Sequence, residues 1–458
     1  MKKIYQHMLM AAALLALASC SQPLVNNDSA GQSISVGGLQ FVVGDFPTFG
    51  GGTQTRAIGT QDEGKTEWEN GDKILVHLYS DEYGHQAVTL TFENGGWKSD
   101  GGTFDYPKDE KLEITAVYAP DCEIKSDGSI GLASGKLYGM AEYITAKTSV
   151  DGLNVSISFK DVTRTYSRLR IAGLANQTLT VTTTDFTPAG ATEVATDAYT
   201  LTTDNNGNAF LYGVFAEGAT VSVKQGDITL KDYTFTADKN PGGTEHNKSY
   251  ALDVMPVIDG TLGGKTTVTE DEVNALVEQL KAYVDNGITT IVVTGSEPAM
   301  INWSYKTVPA YALAISLLTY DPDERSKYFG TIDLIIPDVT EIVDFEFELA
   351  EALNSVTLPK VTTVGDGAFY DTQYLKKLTF GSVITFVNEK SSGPFHMDGY
   401  KVGGCDLVLN CGQLQAEDKY KPNFETNVWF IGDWSGEYEW KSITLTHTGE
   451  CDECKANQ

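Results

Sequence analysis

Residues Leu353–Phe369 read LNSVTLPKVTTVGDGAF, and their pattern of apolar and turn positions returns when the chain is slid along itself by 22 residues. The shift superposes Leu334, Val356 and Leu378, then Ile336, Leu358 and Phe380, then Val339, Val361 and Val383, then Ile342, Val364 and Phe386. Pro337 falls on Pro359, Phe347 on Phe369 and Leu353 on Leu375. A unit of this length, with alternating apolar residues, a proline turn and one inward aromatic, predicts a coil of a solenoid with one short strand per coil. A single coil cannot bury its own apolar row, whereas stacked coils share a core.

Thr290 lies twice the repeat before Leu334, so a strand over 288–293 is expected as an earlier coil, enlarged by a helix over 308–318. Residues 407–409 and 443–445 are expected as later strands with irregular insertions. Before them, Thr269 and Glu272 form a capping box. Val273, Leu276, Val277, Leu280 and Val284 then share one helical face until Gly287 stops the helix.

From residue 33 to 255 the pattern changes to short β-branched and aromatic runs, among them KILVHLY at 73–79 and LEITAVY at 112–118, separated by glycine turns and without a helical stretch. Half-apolar sheets must cover one face with another sheet, so this region predicts two antiparallel β-sandwiches, divided near Asn176. The resulting division is 1–19, 20–56, 57–175, 176–257, 258–450 and a tail at 451–458.

Lys2 and Lys3 followed by the apolar run 8–18 make a secretory signal, too short to span a bilayer core of about 30 Å as a stable helix. It ends in Leu17, Ala18, Ser19 and Cys20, which resembles the lipobox of bacterial lipoproteins. That resemblance implies lipidation at Cys20 and anchoring in the outer membrane, exposed at the cell surface, with the lipid as the membrane contact. Lys plus Arg number 33 against 62 for Asp plus Glu, a formal charge of -29, and such a field repels phosphate backbones, so nucleic-acid binding is excluded.

No metalloprotease HExxH, GxSxG elbow, phosphate loop or dinucleotide fingerprint is present, so no enzyme, cofactor or metal is expected. His77, inside KILVHLY, reads as a residue packed in a strand, and 204–208 (DNNGN) as a hairpin turn lacking the residues of a calcium loop. Asp344, Glu346, Glu348 and Glu351 read as a solvated convex face. Cys122, Cys405, Cys411, Cys451 and Cys454 leave an odd count in an oxidising compartment, and their connectivity stays open. Trp429, Trp434, Tyr438 and Trp440 form a dense aromatic group that serves either as a cap on the open end of the solenoid or as a binding surface for a sugar ring or a protein.

Three stretches carry a family resemblance: TRA at 55–57 with TEWENGDKI at 66–74, VSISFKDVTRTYSRL at 155–169, and NKSYALDV at 247–254. Together with the lipobox they resemble the fimbrillin-like lipoproteins of Bacteroidetes, and LNSVTLPKVTTVGDGAF with LKKLTF at 375–380 resembles the leucine-rich repeats of BspA-type surface proteins. The resemblance implies a mainly β chain: two transthyretin-like β-sandwich domains followed by an α/β leucine-rich-repeat-like solenoid. It implies a non-enzymatic fimbrial subunit in which a protease cuts after Arg56, removing a first strand drawn from Ile34, Val36, Leu39, Phe41 and Val43, so that a neighbouring subunit donates a strand in its place. A shaft subunit donates its own C-terminal strand, but here 201 residues follow Val257, which favours an accessory, anchor or tip role with host or bacterial surface proteins or glycans as partners. The alternative is a glycan-binding outer-membrane lipoprotein of a polysaccharide-uptake system.

Overall fold

The structure is a computed structural model that describes residues 32–36, 39–47, 65, 67–101, 104–105, 112–159, 162, 164–386, 395, 404–416, 422, 425, 428–430 and 437–446. It is mostly β-strand, with two α-helices among the described residues, Glu270–Asp285 and Ala310–Leu317. No described helix is long and apolar enough to cross a membrane. The chain forms two compact units, one of residues up to 51, 63–136 and 142–164, the other of 52–62, 137–141 and 165–458.

The first unit holds a four-stranded sheet in the order Gln32–Val36, Leu39–Val43, Asn154–Ser158 and Lys147–Asp151. A five-stranded antiparallel sheet runs Gly96–Ser99, Gly84–Glu93, Lys73–Ser80, Glu113–Tyr118 and Ile144–Thr145. Period-two alternation buries Ile74, Val76 and Leu78 on one face of Lys73–Ser80.

In the second unit, two four-stranded sheets share one buried cluster that includes Leu169, Ile171 and Leu211 from one sheet and Val181, Leu201 and Val223 from the other. Two expectations are corrected here. The division does not fall at 175/176: Ser167–Ala172 pairs with Asn208–Phe215 and Ser249–Asp253, so Leu169 and Ile171 bury in this later cluster. Nor are the sheets wholly antiparallel, because Leu39–Val43 runs parallel to Asn154–Ser158 and Ser167–Ala172 parallel to Ser249–Asp253. The 204–208 stretch is the expected turn: Asp204 Oδ1 accepts from the Asn206 and Asn208 amides at 2.8 and 2.9 Å. Gly207 there has φ +80°, and a Cβ would lie 2.2 Å from the Gly173 carbonyl oxygen.

The seven-stranded sheet carries the repeat. Its order is Val257–Asp259, Thr290–Thr294, Ile332–Ile335, Leu353–Leu358, Lys377–Phe380, Asp406–Asn410 and Ser442–Thr446, every neighbour parallel. Leu334 pairs with Val356 and Val356 with Leu378, the register expected from the 22-residue shift. Ile291 rather than Thr290 stands opposite Leu334, so the earlier coil is displaced by one residue. A second, three-stranded parallel ladder of Glu341–Ile342, Thr363–Val364 and Thr385–Phe386 follows the same spacing. Ile336, Leu358 and Phe380 are each 0% exposed. Phe347, Phe369 and Phe395 stack at 5.3 and 5.7 Å between centroids. Val383 departs from its predicted inward place: it is 38% exposed, and Ile384, at 0%, fills the core instead.

Thr269 caps the helix Glu270–Asp285, with both bonds of the capping box formed. Its apolar face and the helix Ala310–Leu317 belong to the same buried cluster as the coil strands. Leu358→Ala should lower the stability of this region by about 2 to 5 kcal/mol, because a packed inward side chain leaves a cavity. Val383→Ala should cost no more than about 0.5 kcal/mol. Denaturant unfolding of both variants checks the inward and outward assignments; equal losses would contradict them.

Candidate functional site

The residues expected to leave with the first strand are a hairpin, Gln32–Val36 with Leu39–Val43. Leu39, Phe41 and Val43 alternate inward and are 0, 0 and 2% exposed. Their strand lies between Gln32–Val36 and Asn154–Ser158, so both of its backbone edges are bonded. Gln40 N donates to Leu153 O at 2.7 Å and Gly44 N to Ile157 O at 2.9 Å.

Beyond the strand, Phe46 meets Trp68 and Tyr118 edge-on at 4.9 and 5.3 Å, with the Lys65 ammonium 5.2 Å from its centroid. Trp68 Nε1 donates to Gly44 O at 2.9 Å, and Arg164 Nη2 to Pro47 O at 2.9 Å. Arg164 is itself buried and paired with Glu142 at 2.6 Å, which compensates a guanidinium that would otherwise be costly to desolvate. Burying the four side chains Leu39, Phe41, Val43 and Phe46 contributes roughly 6 to 12 kcal/mol at about 1.5 to 3 kcal/mol each. The segment is therefore held by far more than its covalent link to the rest of the chain.

Cys20 and Arg56 lie outside the described residues, as does Trp434. Trp429 and Tyr438 stand opposite one another in a two-stranded antiparallel ladder of Val428–Phe430 and Glu437–Glu439. Trp440 is 2% exposed and meets Phe395 edge-on at 5.1 Å. It belongs to the same buried cluster as the strands of the seven-stranded sheet and is packed rather than exposed. Cys405 and Cys411 are buried at opposite ends of the strand Asp406–Asn410, roughly 20 Å apart at about 3.3 Å per residue, beyond the reach of a mutual disulfide.

The acidic group is not the solvated face expected. Asp344 is exposed, but Glu346 and Glu348 are 1 and 9% exposed. Glu346 accepts from the Tyr311 hydroxyl at 2.7 Å and the Val343 amide at 2.9 Å. Glu348 pairs with Lys306 at 3.0 Å and accepts from the Tyr305 hydroxyl. Lys306 also donates to Phe345 O at 3.1 Å. The donors come from the hairpin Met300–Trp303/Lys306–Pro309 and the helix Ala310–Leu317, an insertion between coils that the repeat does not reveal. Ser304, Phe345 and Leu349 hold positive φ of 57, 56 and 58° where hairpin and coil turn meet. Glu346 is sealed beneath Tyr311, so the pair pins the insertion to the coil rather than presenting two carboxylates to a substrate.

Burial pushes the Glu346 carboxyl up to about 7, against the pull of its bonds from Tyr311 and Val343. Burial and then Glu346 push the Tyr311 hydroxyl well above its ordinary value.

No protein-family model matches the chain, and no curated protein does. Among solved structures it is similar, at 10% identity and a TM-score of 0.26, to a Bacteroides fragilis protein provisionally assigned to cell adhesion, over 46% of this chain and 92% of that one. It is similar at 11% identity and a TM-score of 0.12 to a single B repeat unit of the collagen binding surface protein of Staphylococcus aureus, over 40% of this chain and 88% of that one. Likenesses at these scores leave fold and function to the chain's own geometry.

Because the folded-state value for Glu346 stands above the ordinary 4.5, its contribution to stability is fully present below about pH 4.5 and is lost as pH rises through about 7. The loss is on the order of 3 kcal/mol. Glu346→Gln should remove this part of the pH dependence. Unfolding free energies of both proteins at pH 4.5 and 7.5 check it, and parallel pH curves would refute it.

Proposed function

We propose that this chain is a non-enzymatic lipoprotein of the outer membrane, anchored through Cys20 and exposed at the cell surface, that acts as an accessory, anchor or tip subunit of a fimbria. In this reading the antiparallel-rich sheets are two fimbrillin-type sandwiches and the parallel sheet is a leucine-rich-repeat-like solenoid serving adhesion. The observation that carries it is the seat of Leu39–Val43: an apolar strand, bonded on both edges, that precedes Arg56 in sequence. Loss of that strand would open an apolar groove with an unpaired backbone edge along Asn154–Ser158, which an incoming strand satisfies.

The depth of the seat adds a condition to the mechanism. Cleavage after Arg56 breaks one peptide bond but leaves the burial of Phe41 and Phe46 and the bonds from Trp68 and Arg164 intact. The cut leader stays bound until a competing strand displaces it, so exchange is controlled by the partner rather than by proteolysis alone. The solenoid occupies the place from which a shaft subunit donates its strand, so the chain ends or anchors a polymer and does not extend one.

Cys20→Ala should abolish metabolic lipid labelling and release most of the protein from membranes; equal labelling of variant and wild type would refute the anchor. Protein cut after Arg56 should keep its leader through size-exclusion chromatography, bind a heterologous fimbrial subunit one to one, and form no filaments alone. Arg56→Ala should stay uncut and monomeric. Electron microscopy and sizing of both forms decide it: long filaments from cut protein alone would defeat the accessory role, and equal partner binding by the two forms would defeat the cleavage step.

A further inference from the structure

Strands Lys73–Ser80 and Gly84–Glu93 pair antiparallel, with His77 opposite Ala87 and Tyr79 opposite His85. While Ile74, Val76 and Leu78 point into the core, the alternation turns His77 to the other face, where His85 is its diagonal neighbour. The result is a close imidazole pair: His77 Nε2 lies 2.9 Å from His85 Nδ1, with ring centroids 5.0 Å apart and planes inclined by 31°.

A turn between Cys122–Ile124 and Ile130–Leu132 lies against them. Gly128 in that turn has φ +84°, and a Cβ there would stand 3.1 Å from His85 Cβ. Asp127, Ser129 and Tyr143 join the two histidines around an open cleft of about 330 Å³.

The 2.9 Å contact is a hydrogen bond, and a nitrogen-to-metal bond of about 2.0 to 2.1 Å places two cis nitrogens at about the same separation at a right angle, so a tilt of the two rings without a change in spacing turns the pair toward a common cation. In the neutral pair one proton sits between the nitrogens; moving it to the other nitrogen of its own ring leaves two lone pairs for a cation. The surrounding charge favours a cation as well. Asp127 accepts from Ser129 N and Oγ at 3.0 and 2.6 Å, and it lines the same cleft as the two histidines. Glu113 stands opposite Tyr79 on the neighbouring strand, and Asp81 accepts from the Tyr79 hydroxyl at 3.1 Å. Lys125, on the overlying hairpin, is paired with Glu123 at 2.8 Å.

We propose that His77 Nε2 and His85 Nδ1 form a two-nitrogen site for a Cu(II)- or Ni(II)-class cation, with Asp127 as the facing carboxylate and water completing the coordination. Imidazole nitrogens at cis spacing suit the tetragonal preference of these ions. Among the described residues no three His, Cys, Asp or Glu side chains already converge as ligands. What is in place is thus the nitrogen spacing of the pair, and Asp127 on the facing turn is the third ligand assigned to the site. Occupancy ties the Lys73–Glu93 hairpin to that turn and stabilises the first unit by linkage.

The test uses the full, untagged chain titrated with Ni(II), which thiols do not reduce, followed by calorimetry, and with Cu(II) followed by electron paramagnetic resonance. One Ni(II) per chain is expected at this site, with two-nitrogen coupling in the Cu(II) spectrum. His77→Gln and His85→Ala should each weaken Ni(II) binding at least tenfold, Asp127→Asn severalfold, and His246→Ala not at all. Affinity should fall as pH is lowered through the histidine range, because protons compete for the same nitrogens. His77→Gln retains a hydrogen-bonding side chain toward His85, so an unchanged unfolding midpoint without metal, together with lost Ni(II), separates ligation from packing. Wild-type Ni(II) affinity in both histidine variants, a one-nitrogen Cu(II) spectrum, or no saturable Ni(II) uptake would each overturn the site.

Discussion

A coil with one short strand has an apolar row and nothing of its own to cover it. The long parallel sheet of this protein follows from that constraint. Leu334, Val356 and Leu378 each bury only because the next coil sets an equivalent residue beside it, and the same holds for Ile342, Val364 and Phe386 one corner further on. Polar contacts keep the same spacing: Lys360 reaches Asp338 at 3.0 Å, Ser355 reaches Asp333 at 2.6 Å, and the Asp366 amide reaches Asp344 at 2.8 Å. The exposed pairs add little energy, but they agree with the register the core demands.

Where the spacing lengthens, the chain has inserted something that must be attached. Between Ile291 and Leu334 the step is 43 residues, and it holds the hairpin at 300–309 and the helix Ala310–Leu317. Buried carboxylates make the attachment. Glu346 and Glu348 each receive a donor from the insertion, at a desolvation cost that shows in the raised value of Glu346. Later steps of 29 and 36 residues, to Leu407 and Ile443, keep parallel pairing although their sequence similarity to the 22-residue unit has gone. Backbone pairing tolerates insertions at the corners as long as an apolar residue returns to the strand.

The first unit obeys a different logic. Its opening hairpin is not an edge ornament: Leu39–Val43 fills an inner position of its sheet, and the turn after it is locked by Trp68, Tyr118 and a buried Arg164–Glu142 pair. Partners come from residues 65, 68, 118 and 164, with 142 behind 164, so the seat is assembled from segments far apart in the chain. A segment held in this way is part of the fold of the unit rather than an appendage to it.

Period decides how much could be read without coordinates. The 22-residue spacing was legible because it recurs in residue types whose burial needs repetition, and the capping box at Thr269 and Glu272 because a helix end is satisfied by neighbours in sequence. The turn at Asp204 was legible for the same local reason. Contacts between distant segments leave no such trace. Nothing near Glu346 announces Tyr311, nothing near Glu348 announces Lys306, and Val383 matches the repeat in type while Ile384 takes the core. The parallel pairing of Ser167–Ala172 with Ser249–Asp253, which moved the division of the chain, joins strands whose alternation fits either direction. His77 lay in a run already read as a strand and His85 outside it, so the face they share became visible only with the register. Local chemistry and repetition were determined by the sequence itself; which carboxylate is buried, which strand closes a sheet and which side chains meet were decided by tertiary packing, because those depend on free energies shared between residues far apart in the chain.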